Sequence, residues 1–310
     1  MLKEHSVFNK HISLFASLLF LIFSCNSTLL FAQKNNEPQL ENSLLWEISG
    51  KDLSKKSYLF GTIHMINEAD YFWTPAMNTA FEKSELIVFE LNTREMTDLS
   101  NMMGMFDQFL MKGDTTLRDI LSEEDYGLLE DHFQTIGMPL MLFERMKPFF
   151  LTILLDPATN SFGEGGMKSY ELELTALADK GEKDVKGLET IEFQAAIFDK
   201  IPYTLQGKML IDQLKNKDAE VPGMDLDEMT KLYKEQNLMA LSKAISVEES
   251  EIEGFEKIML EDRNEAWIPK IQNLMQDKTV FFAVGAGHLP GEKGVINLLR
   301  KEGYTLNPIK

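Results

Sequence analysis

The chain has 310 residues, 44% of them hydrophobic and 26% charged, with a formal net charge of -18 at pH 7. That balance belongs to a globular protein rather than a disordered one, and the length allows one large domain or two ordinary ones. The acidity and the lack of any arginine-rich run exclude nucleic acid as a partner, because phosphate binding needs a basic face.

Residues 1–32 differ from the rest. "MLKEHSVFNKH" carries Lys3 and Lys10 ahead of an uncharged stretch, "ISLFASLLFLIFSCNSTLLFAQ". A positive segment followed by an apolar one is the layout of a secretory signal. Cys25-Asn26-Ser27-Thr28 interrupts the apolar run before it comfortably spans a bilayer. Two processing routes stay open. Ile22-Phe23-Ser24-Cys25 resembles a bacterial lipobox, which would lipidate Cys25 and tether the protein to a membrane; Phe31-Ala32-Gln33 resembles an ordinary signal-peptidase site. Either way the expectation is an exported protein, periplasmic, extracellular or lipid-anchored to a bacterial membrane. Cys25 is the only cysteine, so the folded part has no thiol for a disulfide, a metal or nucleophilic catalysis.

A polar linker, residues 33–44, leads to a single domain expected over 45–310. "LLWEISG" reads as a first strand, and "YLF" opens a second that runs into Gly61-Thr62-Ile63-His64. Thr74 is then a helix N-cap with Pro75 in the first helical position, and Met77, Ala80 and Phe81 share one face. "ELIVFELN" has the continuous apolar core of a strand buried on both sides, and it closes on Glu90. A large helical insertion follows, about 93–182. It contains the methionine-rich "SNMMGMFDQFLMKGD", whose methionines read chiefly as core filling, and a helix opened by Ser122 with acids in its first turn.

"MKSYELELTALADKGEKDVKGLET" reads as helix, glycine stop, short strand and a turn ending in Glu189. Residues 190–216 and 225–276 are helical, broken by "IPY" and "VPGMD". At the C-terminus "TVFFAV" is a strand running into Gly285-Ala286-Gly287-His288, followed by a helix closed by Gly303 and a final strand, "YTLNPI". The fold class is therefore α/β, with α+β character: a central mixed β-sheet built from two β-Gly-x-x-His-α-β units with helices between them. Such units favour parallel pairs joined by right-handed crossovers, and ligands collect at the carboxyl ends of their strands.

The glycines do not form a phosphate cradle. "GAGHLPG" lacks the spacing of a dinucleotide fingerprint and the lysine of a P-loop, and no G-x-S-x-G elbow is present. What remains is a histidine at each of two strand ends. Of five histidines, His5 and His11 lie in the leader, and His132 sits on an acidic helix without partner spacing. Glycine before His64 and His288 lets the backbone turn sharply and lets another group come close. Neutral imidazole is a common ligand for zinc, manganese or cobalt. Glu90 is the nearest carboxylate, and a charge closing a buried strand is costly unless paired or metal-bound. Glu189 reads equally well as a site residue or a turn residue.

In "YLFGTIHM", "ELIVFELN", "GMKSYELELTALADKGEKDVKGLETIEFQ", "EDRNEAWIPKI" and "FFAVGAGHLPGEKGVINLLRKEGY", the chain resembles the TraB/GumN family, related to the Tiki-type membrane metalloproteases. Lys168 departs from the acidic residue more common in relatives. The resemblance implies a metal-dependent hydrolase, foremost a peptidase using a metal-activated water held between the two Gly-x-x-His loops. His64 and His288 would be ligands of a divalent zinc, manganese or cobalt ion. Glu90 would be a ligand or the general base, Arg263 the cation facing the developing oxyanion, and Asn264 an orienting residue. Gly61, Gly285, Gly287 and Glu189 would support them. The implied substrate is a peptide or small molecule. Two alternatives accompany this reading: a non-catalytic binder of metal, haem or a small ligand, and an esterase acting on a lactone.

Overall fold

The computed structural model describes residues 40–97, 106–155, 166–215, 226–248, 254 and 256–310. The signal-like segment with Cys25, most of the linker, the methionines at 102, 103 and 105, and "VPGMD" lie outside the described residues. Eight strands are present among the described residues: β1 (Leu45–Gly50), β2 (Ser57–Thr62), β3 (Ile66–Asn67), β4 (Leu86–Leu91), β5 (Met167–Lys168), β6 (Asp184–Glu189), β7 (Val280–Gly285) and β8 (Tyr304–Ile309). Six form one mixed sheet in the order β6-β4-β7-β2-β1-β8, and β3 pairs antiparallel with β5. With about a dozen helices around it, the architecture is mixed α/β.

β2, β7, β4 and β6 run parallel, while β1 is antiparallel to both β2 and β8. Neither Gly-x-x-His unit pairs its own two strands. β7 lies between β2 and β4, and β8 pairs with β1. The apolar pattern accounts for this. β7 reads VFFAVG and is buried along nearly its whole length, so it fits only where strands flank it on both sides and elements cover both faces. β1 alternates more, with Glu47 and Ser49 partly open. The last residues before it are part of the fold: Leu44 is fully buried and Ser43 Oγ donates to Leu45 O and Ile309 O, both at 2.8 Å.

The helix Pro75–Lys83 follows its sequence signals. Thr74 Oγ1 accepts from Met77 N at 3.2 Å, Pro75 opens the helix, and Met77, Ala80 and Phe81 are buried. Phe81 meets Phe281 of β7 edge-on at 5.5 Å, and Phe60 of β2 meets Trp73 at 5.6 Å. Burying each such ring is worth roughly 1.5–3 kcal/mol, which pins the first crossover against the second Gly-x-x-His strand. A separate apolar cluster, including Leu117, Leu129, Phe133, Leu151 and Leu210, holds the middle helices together. Among the described residues no helix is long and apolar enough to cross a membrane.

Candidate functional site

Because four strands run parallel, their carboxyl ends share one edge of the sheet, where ligands collect in α/β folds. In spatial order that edge carries Glu189 at the end of β6, Glu90 near the end of β4, Gly285 to His288 after β7, and His64 two residues after β2. The registers set them level: Leu91 is opposite Glu189, and Thr62 is opposite Gly285.

The glycines act through close approach. Neither Gly61 nor Gly285 has positive φ; the sharp turn expected of them is not what they supply. A Cβ on Gly61 would lie 3.1 Å from Ala286 Cα, so the two Gly-x-x-His loops touch there. A Cβ on Gly285 would lie 3.2 Å from Glu90 Oε1, the carboxylate oxygen that accepts the Gly285 N–H at 2.8 Å.

Arg263 joins this edge from the helix Asp262–Leu274. Its Nε donates to Glu189 (3.0 Å to Oε1), and its Nη2 donates to Glu189 Oε2 (2.8 Å) and Glu90 Oε2 (2.5 Å). Nη1 donates to Met259 O (2.9 Å) and faces His288 Nε2 at 3.2 Å. Every N–H of the guanidinium is therefore engaged. Met259 belongs to a turn of π-helix, Lys257–Glu261, directly before the helix Asp262–Leu274; such turns recur beside functional sites. Glu189, only 1% exposed in its side chain, also accepts Trp267 Nε1 at 2.8 Å and Gln194 Nε2 at 3.0 Å.

The protonation of His288 follows from its neighbours. Asn264 Nδ2 donates to His288 O (3.3 Å) and Lys293 O (3.0 Å), which leaves Asn264 Oδ1 as the acceptor 2.7 Å from His288 Nδ1. Nδ1 therefore carries the proton. Burial lowers the ring to a pKa of about 3, so it is neutral, and its Nε2 lone pair accepts from Arg263 Nη1 at 3.2 Å. Trp267 packs against the ring with centroids 4.4 Å apart. For Glu90, burial alone would raise the carboxyl, but the neighbouring His288, Arg263 and His64 and the Gly285 N–H bring it down to about 2. It is ionised.

His64 is placed differently. Its side chain is 75% exposed, with Nδ1 3.3 Å from Glu171 Oε1, and hydrogen bonding to Glu171 raises its pKa to about 9. Glu171 also accepts from Thr62 Oγ1 (2.8 Å) and Ser169 Oγ (2.9 Å). The β3–β5 pairing, which sets Ile66 opposite Lys168, brings Glu171 to this place. His64, Glu90, Arg263, Gly285, Gly287 and His288 line one cavity of about 280 Å³. Apart from Cys25, which lies outside the described residues, the structure thus brings the expected site residues to one edge, with Asn264 and Glu189 behind it. Lys168 instead lies over the Tyr71 ring and 3.6 Å from both Glu68 and Glu173. His132 lines neither this cavity nor the one beside it.

Glu171 and Trp267 are the residues that sequence reasoning passes over. Trp267 stands four residues after Arg263 on one helix face, a spacing that could have flagged it. Glu171 carries no such signal.

Among the described residues no three His, Cys, Asp or Glu side chains form a ready ligand set for a metal ion. The donor chemistry nonetheless fits a divalent cation. His288 Nε2 and Glu90 Oε1 are 3.6 Å apart, and two ligands each about 2.0–2.2 Å from one ion can be no more than about 4.4 Å apart. The buried Glu189 and the part-buried Glu90 share the charge of Arg263, while the protonated His64 is paired with Glu171. The surplus negative charge suits a cation.

The zebrafish (Danio rerio) protein "Metalloprotease TIKI1" is 26% identical over 336 residues, covering 88% of this chain and 64% of the relative. Its Homo sapiens counterpart of the same name is 26% identical over 86% of the chain and 61% of the relative. "Metalloprotease TIKI homolog" of Amphimedon queenslandica is 22% identical over 88% and 62%. The chain thus spans less than two thirds of these relatives' length. No solved structure matches it. The TraB/PrgY/gumN family profile matches residues 44–308, nearly all of the sheet and every residue of the site, and the chain belongs to that family.

Proposed function

We propose that the protein is a metal-dependent hydrolase acting on peptide bonds, with its centre at the edge shared by His64, Glu90 and His288. The observation that carries this reading is the 3.6 Å between the ionised Glu90 and Nε2 of the neutral His288, whose lone pair Arg263 Nη1 would yield to the ion. The names of the relatives support it. His288, Glu90 and, after giving up its proton, His64 would hold the ion. A divalent metal supplies there an acidified water and a polarised carbonyl. Hydrolysis adds hydroxide to the acyl carbon, breaks the C–N bond and sends a proton to the leaving amine.

Glu90 fits a ligand better than a general base, because an efficient base has a pKa near the working pH and Glu90 stands at about 2. Arg263 holds Glu90 in place, and it could stabilise an oxyanion only by releasing one of its present partners. That saturation favours a second reading, a protein that binds a metal or small ligand without turnover. The export and membrane tether suggested by residues 1–32 complete the proposal.

Metal content by mass spectrometry and cleavage of a peptide library test it, comparing wild type with His64→Ala, His288→Ala and Glu90→Gln. The expected result is near-stoichiometric metal and cleavage in wild type, with both lost in all three variants. Metal without cleavage would establish the binder. No metal after reconstitution with zinc, manganese and cobalt would sink both metal readings. Loss of membrane association in Cys25→Ala would support the lipid tether.

A further inference from the structure

A second, larger cavity of about 450 Å³ adjoins the first, lined by Phe89, Leu91, Thr93, Ser169, Leu172 and Gln194 together with His64, Glu90 and Glu171. His64 and Glu90 are thus common walls of both cavities. A molecule seated in the larger one lies against the groups that would do the chemistry. Its size is that of a ligand pocket, a few hundred Å³.

The character of this cavity differs from that of the shared wall. Phe89, Leu91 and Leu172 give it apolar sides. Leu172, on the helix Tyr170–Lys180, is left 47% exposed, and its neighbour along the chain, Glu171, is turned inward. The cavity's charged lining residues, His64, Glu90 and Glu171, are already held. Glu171 Oε1 accepts from Thr62 and faces His64, and its Oε2 accepts from Ser169. Glu90 accepts from Gly285 and Arg263. A charged ligand group would find these carboxylates occupied, whereas an apolar side chain would cover Leu172 and gain from leaving water.

We propose that this cavity is the specificity pocket of the enzyme and receives a large apolar side chain, leucine or phenylalanine in size, from the substrate residue adjoining the scissile bond. The proposal rests on the peptidase reading for the identity of its substrate, but the binding it predicts does not depend on turnover.

Two measurements on the full-length protein test it. Fluorogenic peptides identical except for Phe, Leu, Ala or Asp at one position are compared on wild type, Leu172→Asp and Leu172→Met. If any peptide is cleaved, wild type should favour Phe and Leu over Ala and Asp by about 10- to 150-fold in kcat/KM, the value of burying one such side chain. The preference should be lost in Leu172→Asp and kept in Leu172→Met, with metal content unchanged. Equal cleavage of all four peptides by wild type would overturn the pocket while the peptidase reading stands. If no peptide is cleaved, the amide NMR signals of Thr93, Leu172 and Gln194 are followed on titration with N-acetyl-phenylalaninamide and N-acetyl-alaninamide. Shifts with the first alone would uphold the pocket while the peptidase reading falls. No shifts with either would overturn the pocket as well.

Discussion

With its Nδ1 proton held by Asn264 Oδ1 at 2.7 Å, the His288 ring has only Nε2 to offer. Asn264 in turn is fixed by the two carbonyls its amide reaches. Groups placed this way behind a ligand set its tautomer and orientation, and removing them typically lowers metal affinity 10- to 100-fold. Asn264→Ala should show that loss by calorimetric titration with zinc, with its circular dichroism spectrum unchanged. The sequence disclosed His64, His288 and Glu90 because glycines and a buried charge at strand ends are unusual choices. It was silent on Glu171, which reaches His64 only through the two-residue pairing of β3 and β5. No periodicity reports so short a strand. Trp267 was concealed for another reason: a tryptophan on a helix face reads as core, and this one is fully buried while also donating to Glu189.

Strand β6 delivers Glu189, and its position depends on Gly187. A Cβ there would come within 2.7 Å of Asn92 N and of Glu189 O, both backbone atoms that cannot turn aside. Gly187→Ala should destabilise the protein by roughly 1–3 kcal/mol, as overpacking does, and thermal unfolding would record it.

A second element depends on charge. Lys147, 1% exposed in its side chain, pairs with Asp199 at 2.9 Å, and Asp199 also accepts from Tyr203 at 2.7 Å. Burial raises the Asp199 carboxyl, yet its hydrogen bonds with Tyr203, Lys147 and Lys112 leave its pKa below the usual 3.8. A carboxyl depressed in the folded state adds stability that is complete above pH 3.8 and is lost as pH falls through the lower folded value. Asp199→Asn should cost about 3–5 kcal/mol at neutral pH, because it strands a buried lysine. Urea denaturation should show the gap from wild type narrowing below pH 3.8. Asp199 lies within the helical stretch that the sequence indicates over 190–216, whereas a lysine fully out of water was not legible, since lysine ordinarily marks a solvated face.

At the scale of the whole molecule, the elements were legible and their neighbours were not. β1, β2, β4, β7 and β8 stand where apolar runs and glycines put them. The order β6-β4-β7-β2-β1-β8 came from competition among strands for the buried centre, a comparison that no single segment contains. The interleaving has a measurable cost. Removing residues 280–310 takes away the middle strand and one edge strand, so the remaining chain should lose its cooperative thermal transition, as differential scanning calorimetry would show.

The central place of β7 also bears on how the molecule comes into being. Phe281 pairs with Tyr58 across some 220 residues of chain, and long-range pairing of this kind is slow to form. β2 and β4 precede β7 by a long stretch of chain, yet each pairs with it. Without β7 the sheet is at most separate pieces, β6 with β4 and β2 with β1 and β8, and His288 is not beside Glu90. Closure of the sheet and the meeting of His288 with Glu90 are therefore a single event.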